Sequence, residues 1–186
     1  MVSANDIIFF PPGAADYLLK LKEPLFKSSD TEVTYRTINH YQAEKILDPK
    51  PSSVQKWRKI SSLEIIWLRI VTSLREIGVP LEKIRHLRAK LFDEGQYGHI
   101  DKAQYINLSF EKEIALSLFS NFELYLIIFS DFSFTFHDSK SLSQWPLRSY
   151  KDETYLNIPL SPIIKNVWKK INNAQPINKK RKRSII

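Results

Sequence analysis

The stretch Thr31–Gln42, TEVTYRTINHYQ, sets Tyr35, Arg36, Asn39, His40 and Tyr41 on what reads as one short helix. Thr34 stands at the N-cap, where a hydroxyl can accept from an unsatisfied backbone N–H of the first turn. The side available to a core offers Val33, Ile38, Ala43, Ile46 and Leu47, a narrow stripe for a helix whose only task is packing. Such a helix is either a polar surface element or one whose second face is kept for a partner.

Charge narrows the partner. The 186 residues carry a net charge of +8, and 43% are hydrophobic, which suits a folded chain of one large or two small domains. From Thr34 to Lys90 there are 12 Lys and Arg against 5 Asp and Glu, and KKRKR at Lys179–Arg183 adds five more cations. The remainder is net acidic. Basic side chains gathered in two places suit a polyanion, because each phosphate they neutralise releases counterions. Nucleic acid therefore ranks ahead of a membrane surface, and no segment is long and apolar enough to read as a bilayer span. The absence of cysteine removes disulfides, thiolate metal sites and cysteine nucleophiles. The start, MVSANDIIFFPPG, lacks the basic region of a signal peptide, so the expected location is cytoplasmic, in association with the nucleoid.

Outward from the opening stretch, the pattern predicts an α+β chain. IIFF reads as a short strand, and the following Pro pair starts a helix over about 13–21 that Pro24 closes. KEPLFKSSD is polar enough for a loop. Downstream, PKPSSVQKWRKI at Pro49–Ile60 has the length of a small hairpin or wing whose prolines forbid a central strand. Ile66, Ile70, Leu74 and Ile77 recur at helical spacing over 61–77, with Gly78 where a left-handed terminal residue belongs. Leu81, Ile84, Leu87 and Leu91 predict a further helix over 81–92. In the second half, EKEIALSLFSNF is helical in pattern, while ELYLIIFSDFSFTFHD and YLNIPL read as strands. SPIIKNVWKKIN then reads as a terminal helix with a capping serine and Pro at its first position. The expected division is a basic first domain at 1–95, a small α/β domain at 103–173 with antiparallel strands and a terminal helix, and a basic tail at 174–186.

The order of these motifs carries a resemblance. TEVTYRTINHYQ resembles the T-G-V-S-x-R-T-I-R-Y-Y-E stretch that opens the MerR-family helix-turn-helix, with Thr31, Val33, Arg36, Thr37, Ile38 and Tyr41 matching. WRKIS, with Trp57, Arg58 and Ser61, occupies the end of that family's wing. LRIVTSLREIGVPLEKI then follows in register with its helix pair at Leu68, Val71, Leu74, Arg75, Gly78, Leu81 and Ile84. The resemblance covers about 31–91, roughly a third of the chain. It departs at KEPLFKSSD, which lengthens the connection after the first helix, and at Pro49 and Pro51 in the wing. It departs again at DEGQYGHID, which interrupts the chain where the family's long dimerising helix would begin.

The resemblance implies that 1–95 is a winged helix-turn-helix DNA-binding domain with its recognition helix in the major groove, where Thr34, Tyr35, Arg36, Asn39 and His40 supply donors and acceptors for base edges and backbone. It also implies that Tyr41 and Arg58 contact phosphates. Lys50, Lys56 and Lys59 would add attraction independent of sequence. The implied partners are double-stranded DNA, a second copy in a homodimer and RNA polymerase, with no cofactor. The implied activity is transcription regulation, by binding rather than catalysis; the runner-up is a DNA-bending accessory factor of a mobile element or plasmid, acting in excision or partition.

The remaining motifs are weaker. His40, His86, His99 and His137 share no ligand spacing, so no metal site is expected. His86 lies among Arg85, Arg88 and Lys90, which suits a solvated helix face near DNA better than a recombinase centre. Only four glycines are present and none forms a phosphate loop. The aromatic alternation around Phe132–Phe136 is what a half-buried strand requires, ahead of an effector pocket. The basic tail reads as a disordered DNA-clasping arm.

Overall fold

A computed structural model describes residues 11–49, 58–92, 109–144 and 154–174. The IIFF strand, most of the wing, the 93–101 boundary and the basic tail lie outside the described residues.

Helix α1 (Pro12–Lys22) starts at the Pro pair and ends with Lys20 and Lys22 in its last turn. Strand β1 (Pro24–Phe26) follows and pairs antiparallel with β2 (Ile60–Ser61), at the point where the chain returns from the wing segment. A 3-10 turn at Ser28–Asp30 leads to helix α2 (Tyr35–Ala43). Next come α3 (Ser62–Glu76) and α4 (Leu81–Phe92). In α3 the Ser61 hydroxyl accepts from Glu64 N–H while the Glu64 carboxylate accepts from Ser61 N–H, a reciprocal cap readable in SSLE.

The second half begins with α5 (Phe110–Ser120), followed by β3 (Leu124–Phe129), β4 (Phe134–Asp138), the short α6 (Ser139–Gln144), β5 (Tyr155–Pro159) and α7 (Leu160–Ala174). The three strands form an antiparallel sheet in the order β4-β3-β5. In β3, Leu124, Leu126 and Ile128 join the main core, whereas Ile127 and Phe129 face the other way, towards Leu142 of α6. Both faces of β3 are thus covered, as its unbroken apolar run requires. The terminal helix starts one residue before Ser161, and that serine does not cap from outside. Its buried hydroxyl accepts from Leu124 N–H at 2.8 Å and ties α7 to the start of β3.

Helix α1 packs chiefly on α5 and less on α3. Tyr17 of α1 stacks on Trp168 of α7 at 5.2 Å between centroids. An aromatic path runs through Trp67, Phe92, Phe110, Phe136 and Phe134 with neighbouring centroids 5.3–6.4 Å apart, so α3, α4, α5 and β4 share one interior. The main cluster of buried residues extends without a break from Leu21 to Ile171. No helix among the described residues is long and apolar enough to cross a membrane, and no group of His, Asp or Glu among them could hold a metal.

Candidate nucleic-acid interface

The turn before α2 is tied by its own side chains. Asp30 Oδ2 accepts from Lys27 N–H at 2.7 Å, the Thr31 hydroxyl lies 2.7 Å from the Ser28 carbonyl, and Arg69 of α3 forms an ion pair with Glu32. Thr34 is the N-cap, its hydroxyl accepting from Thr37 N–H at 3.2 Å. This stops the first turn from fraying.

At the other end α2 stops sooner than the apolar residues up to Leu47 suggest. Lys45 adopts a left-handed φ of 58°; Ile46 N–H bonds the Tyr41 carbonyl at 2.8 Å and Lys45 N–H bonds that of Gln42 at 3.0 Å. This is a Schellman termination with lysine in the place usually taken by glycine. The chain leaving it is held on every side. Trp67 Nε1 donates to the Ile46 carbonyl at 2.8 Å, the Asp48 carbonyl accepts from Gln42 and from Arg58 Nη1, and the Asp48 carboxylate pairs with Arg88 at 2.7 Å. Both ends of α2 are therefore fixed to α3 and α4.

Between these anchors Ile38 and Tyr41, three residues apart, turn into the core, with Tyr41 only 8% exposed. Tyr35, Arg36, Asn39 and His40 are exposed, and at 100° per residue they occupy one side of the helix. Tyr35 presents 45% of its surface. This side offers a guanidinium, an amide, an imidazole and a phenol, four groups that can pair with base edges, around the first two turns.

Two residues expected at DNA are largely buried. Tyr41, expected to meet a phosphate, has its ring in the core beside Ile38. Arg58, expected to hold the DNA backbone from the wing, is 6% exposed and forms an ion pair with Glu64 while donating to the Asp48 carbonyl at 2.8 Å. A guanidinium removed from water needs such partners, so Arg58 joins the base of the wing to α3. Lys59 beside it is exposed. Lys50 and Lys56 lie outside the described residues. Asp48, Glu64 and Trp67 were missed as residues that place α2. The one signal for them in the sequence was a tryptophan inside an apolar helix, whose indole N–H requires a buried acceptor.

The helix expected over about 13–21 is present as α1, but it does not pack chiefly on α2. Helix α1 packs on α5 and α3, and the element adjoining α2 is the single 3-10 turn at Ser28–Asp30. KEPLFKS, expected as a loop, contains β1. The groups with displaced pKa lie in the second half. Burial, partly opposed by the Asp138 charge, lowers His137, and hydrogen bonds headed by the Ser141 N–H lower Asp138.

Comparison with known proteins agrees with this geometry. Residues 28–91 match a family model described as MerR HTH family regulatory protein. That span begins at the 3-10 turn, leaves out α1 and ends inside α4. No curated protein and no solved structure matches the chain. The capped, doubly anchored α2 and the family match over the same residues identify 28–91 as a MerR-like helix-turn-helix DNA-binding domain.

Proposed function

We propose that the chain is a sequence-specific double-stranded DNA-binding protein that acts as a MerR-like transcriptional regulator. One observation carries this reading: Tyr35, Arg36, Asn39 and His40 project from one side of a helix whose two ends are fixed by Thr34 and by the Trp67, Arg58 and Arg88 anchors. A helix that reads bases must be held rigidly, because phosphate contacts set its register and only base-edge contacts discriminate sequence. Its partners in this reading are a duplex site, a second copy of the chain and RNA polymerase, and its place is the nucleoid. The second half, α5 to α7 with the sheet, serves self-association or effector response. Tyr41 and Arg58 contribute by positioning, and Lys59 by attraction to phosphate.

The runner-up is a DNA-bending accessory factor of a mobile element or plasmid. Selection of bound duplexes from a random pool separates the two, because a dimeric regulator enriches a site with two-fold symmetry. An asymmetric site with a strong bend in gel phasing favours the accessory factor. With the selected duplex, Arg36→Ala should lose about 1–3 kcal/mol of binding and flatten the preference at one base step. An unchanged affinity and preference in that variant would sink the assignment of α2.

A further inference from the structure

The positive charge of the chain is not confined to the domain that matches the family. From Thr154 to Ile186 the sequence holds eight Lys and Arg and no Asp or Glu. Three of those cations lie on α7. The apolar side of this helix, Leu160, Ile164, Val167 and Ile171, is buried against the core, and its opposite side exposes Lys165, Asn166, Lys169, Asn172 and Asn173. Lys165 and Lys169 are one turn apart, an arrangement of like charges that by itself weakens a helix. Lys165 is close enough to Glu123 to help lower that carboxyl's pKa. Among the described residues, neither lysine forms an ion pair.

The position of the helix gives this charge a direction. Lys170 Nζ donates to the Asp30 carbonyl at 3.4 Å, and Asp30 closes the 3-10 turn that leads to Thr34 and the recognition helix. Helix α7 also packs on α3, whose Arg69 holds Glu32 in the same turn. The C-terminal half of α7 therefore lies beside the turn that leads into α2, with Lys170 on that turn and Lys169 exposed. With a rise of about 1.5 Å per residue, Lys165 and Lys169 are separated by about 6 Å along the axis. A duplex carries one phosphate charge per roughly 1.7 Å, so two neighbouring phosphates are within reach of such a pair.

From this placement we infer that α7 is a second DNA-contacting element, in which Lys165 and Lys169 hold the phosphate backbone flanking the site read by α2. This rests on the DNA-binding reading above. The contact is independent of sequence, adds to affinity and fixes how far the bound duplex extends on the α7 side.

The test uses the full chain, the selected duplex extended by random flanks, and fluorescence anisotropy across a salt series. Each lysine–phosphate contact contributes about 0.9 to the slope of log K against log salt, so Lys165→Gln with Lys169→Gln should lower the slope by about 1.8. Sequence preference and Tm should stay at their parental values, and Lys165→Arg with Lys169→Arg should restore the slope. A parental slope in the double Gln variant, with Arg36→Ala still altering preference, would overturn the α7 contact and leave the DNA-binding domain intact. A slope unchanged on DNA but binding to phosphatidylserine vesicles lost would place α7 on a membrane instead and equally overturn it. If the parent chain enriches no duplex at all, both readings fail.

Discussion

Arg58 shows how one side chain changes meaning once its neighbours are known. In sequence it is a cation in a wing, next to Lys59. In the structure its guanidinium is enclosed by Glu64 and the Asp48 carbonyl, while Glu64 also caps α3 through Ser61. Removing one member of a buried pair leaves the other charge poorly compensated. Arg58→Ala should thus destabilise the fold by roughly 3 kcal/mol, read as a lower urea midpoint. Arg58→Lys should rescue little, because an ammonium lacks the planar fork that reaches both acceptors. A pure phosphate contact would behave oppositely, leaving the midpoint in place and reducing only the salt slope of DNA binding.

At the level of elements, α2 and α3 end in the same way with different residues. In α3 the left-handed position is Gly78, φ 86°, with Val79 N–H on the Leu74 carbonyl at 2.9 Å; in α2 it is Lys45. The glycine has no Cβ to oppose that conformation, and the lysine has. Gly78→Ala should cost about 1 kcal/mol in stability, and Lys45→Gly should add stability of similar size. Thermal melting of the two variants checks this, and shifts of the same sign would refute it. Lysine at this position keeps an exposed cation just beyond α2, where it also complements the negative end of the helix dipole. The start of α3, by contrast, is set by the reciprocal cap between Ser61 and Glu64.

For the whole molecule, titration in the sheet couples to the common core. His137 on β4 has a pKa below its ordinary 6.5 because of burial, and Asp138 lies below 3.8 because the Ser141 N–H and hydroxyl favour its carboxylate. In both cases the folded value is depressed, so the unfolded chain binds more protons as pH falls. Stability is full above about pH 6.5, declines as His137 is forced to protonate, and declines again below about pH 4 through Asp138. His137→Gln should flatten the first decline, measured as Tm at pH 7.5 and pH 5.5. An equal Tm difference in parent and variant would show that His137 has no part in it. Phe134 and Phe136 of β4 continue the aromatic path to Trp67, so the sheet and α3 share one interior.

By itself the sequence determined what depends on neighbours along the chain. Thr34 capping α2, the helical period of α3 and α4, Gly78 as a terminator and the alternation of β3 and β4 are all local, and so were readable. The exposed quartet Tyr35, Arg36, Asn39 and His40 was readable too, since Ile38 fixes which side of α2 faces inward, whereas Tyr41 was expected on the outer side and is buried. Only the tertiary structure decided whatever depends on a distant counter-group. It buried Arg58 against Glu64, joined Trp67 to Ile46, gave α1 to α5 instead of α2, and set α7 beside Asp30. The physical reason is desolvation: whether a cation belongs to solvent, to DNA or to a buried carboxylate depends on which surfaces have excluded water around it, and periodicity does not record that.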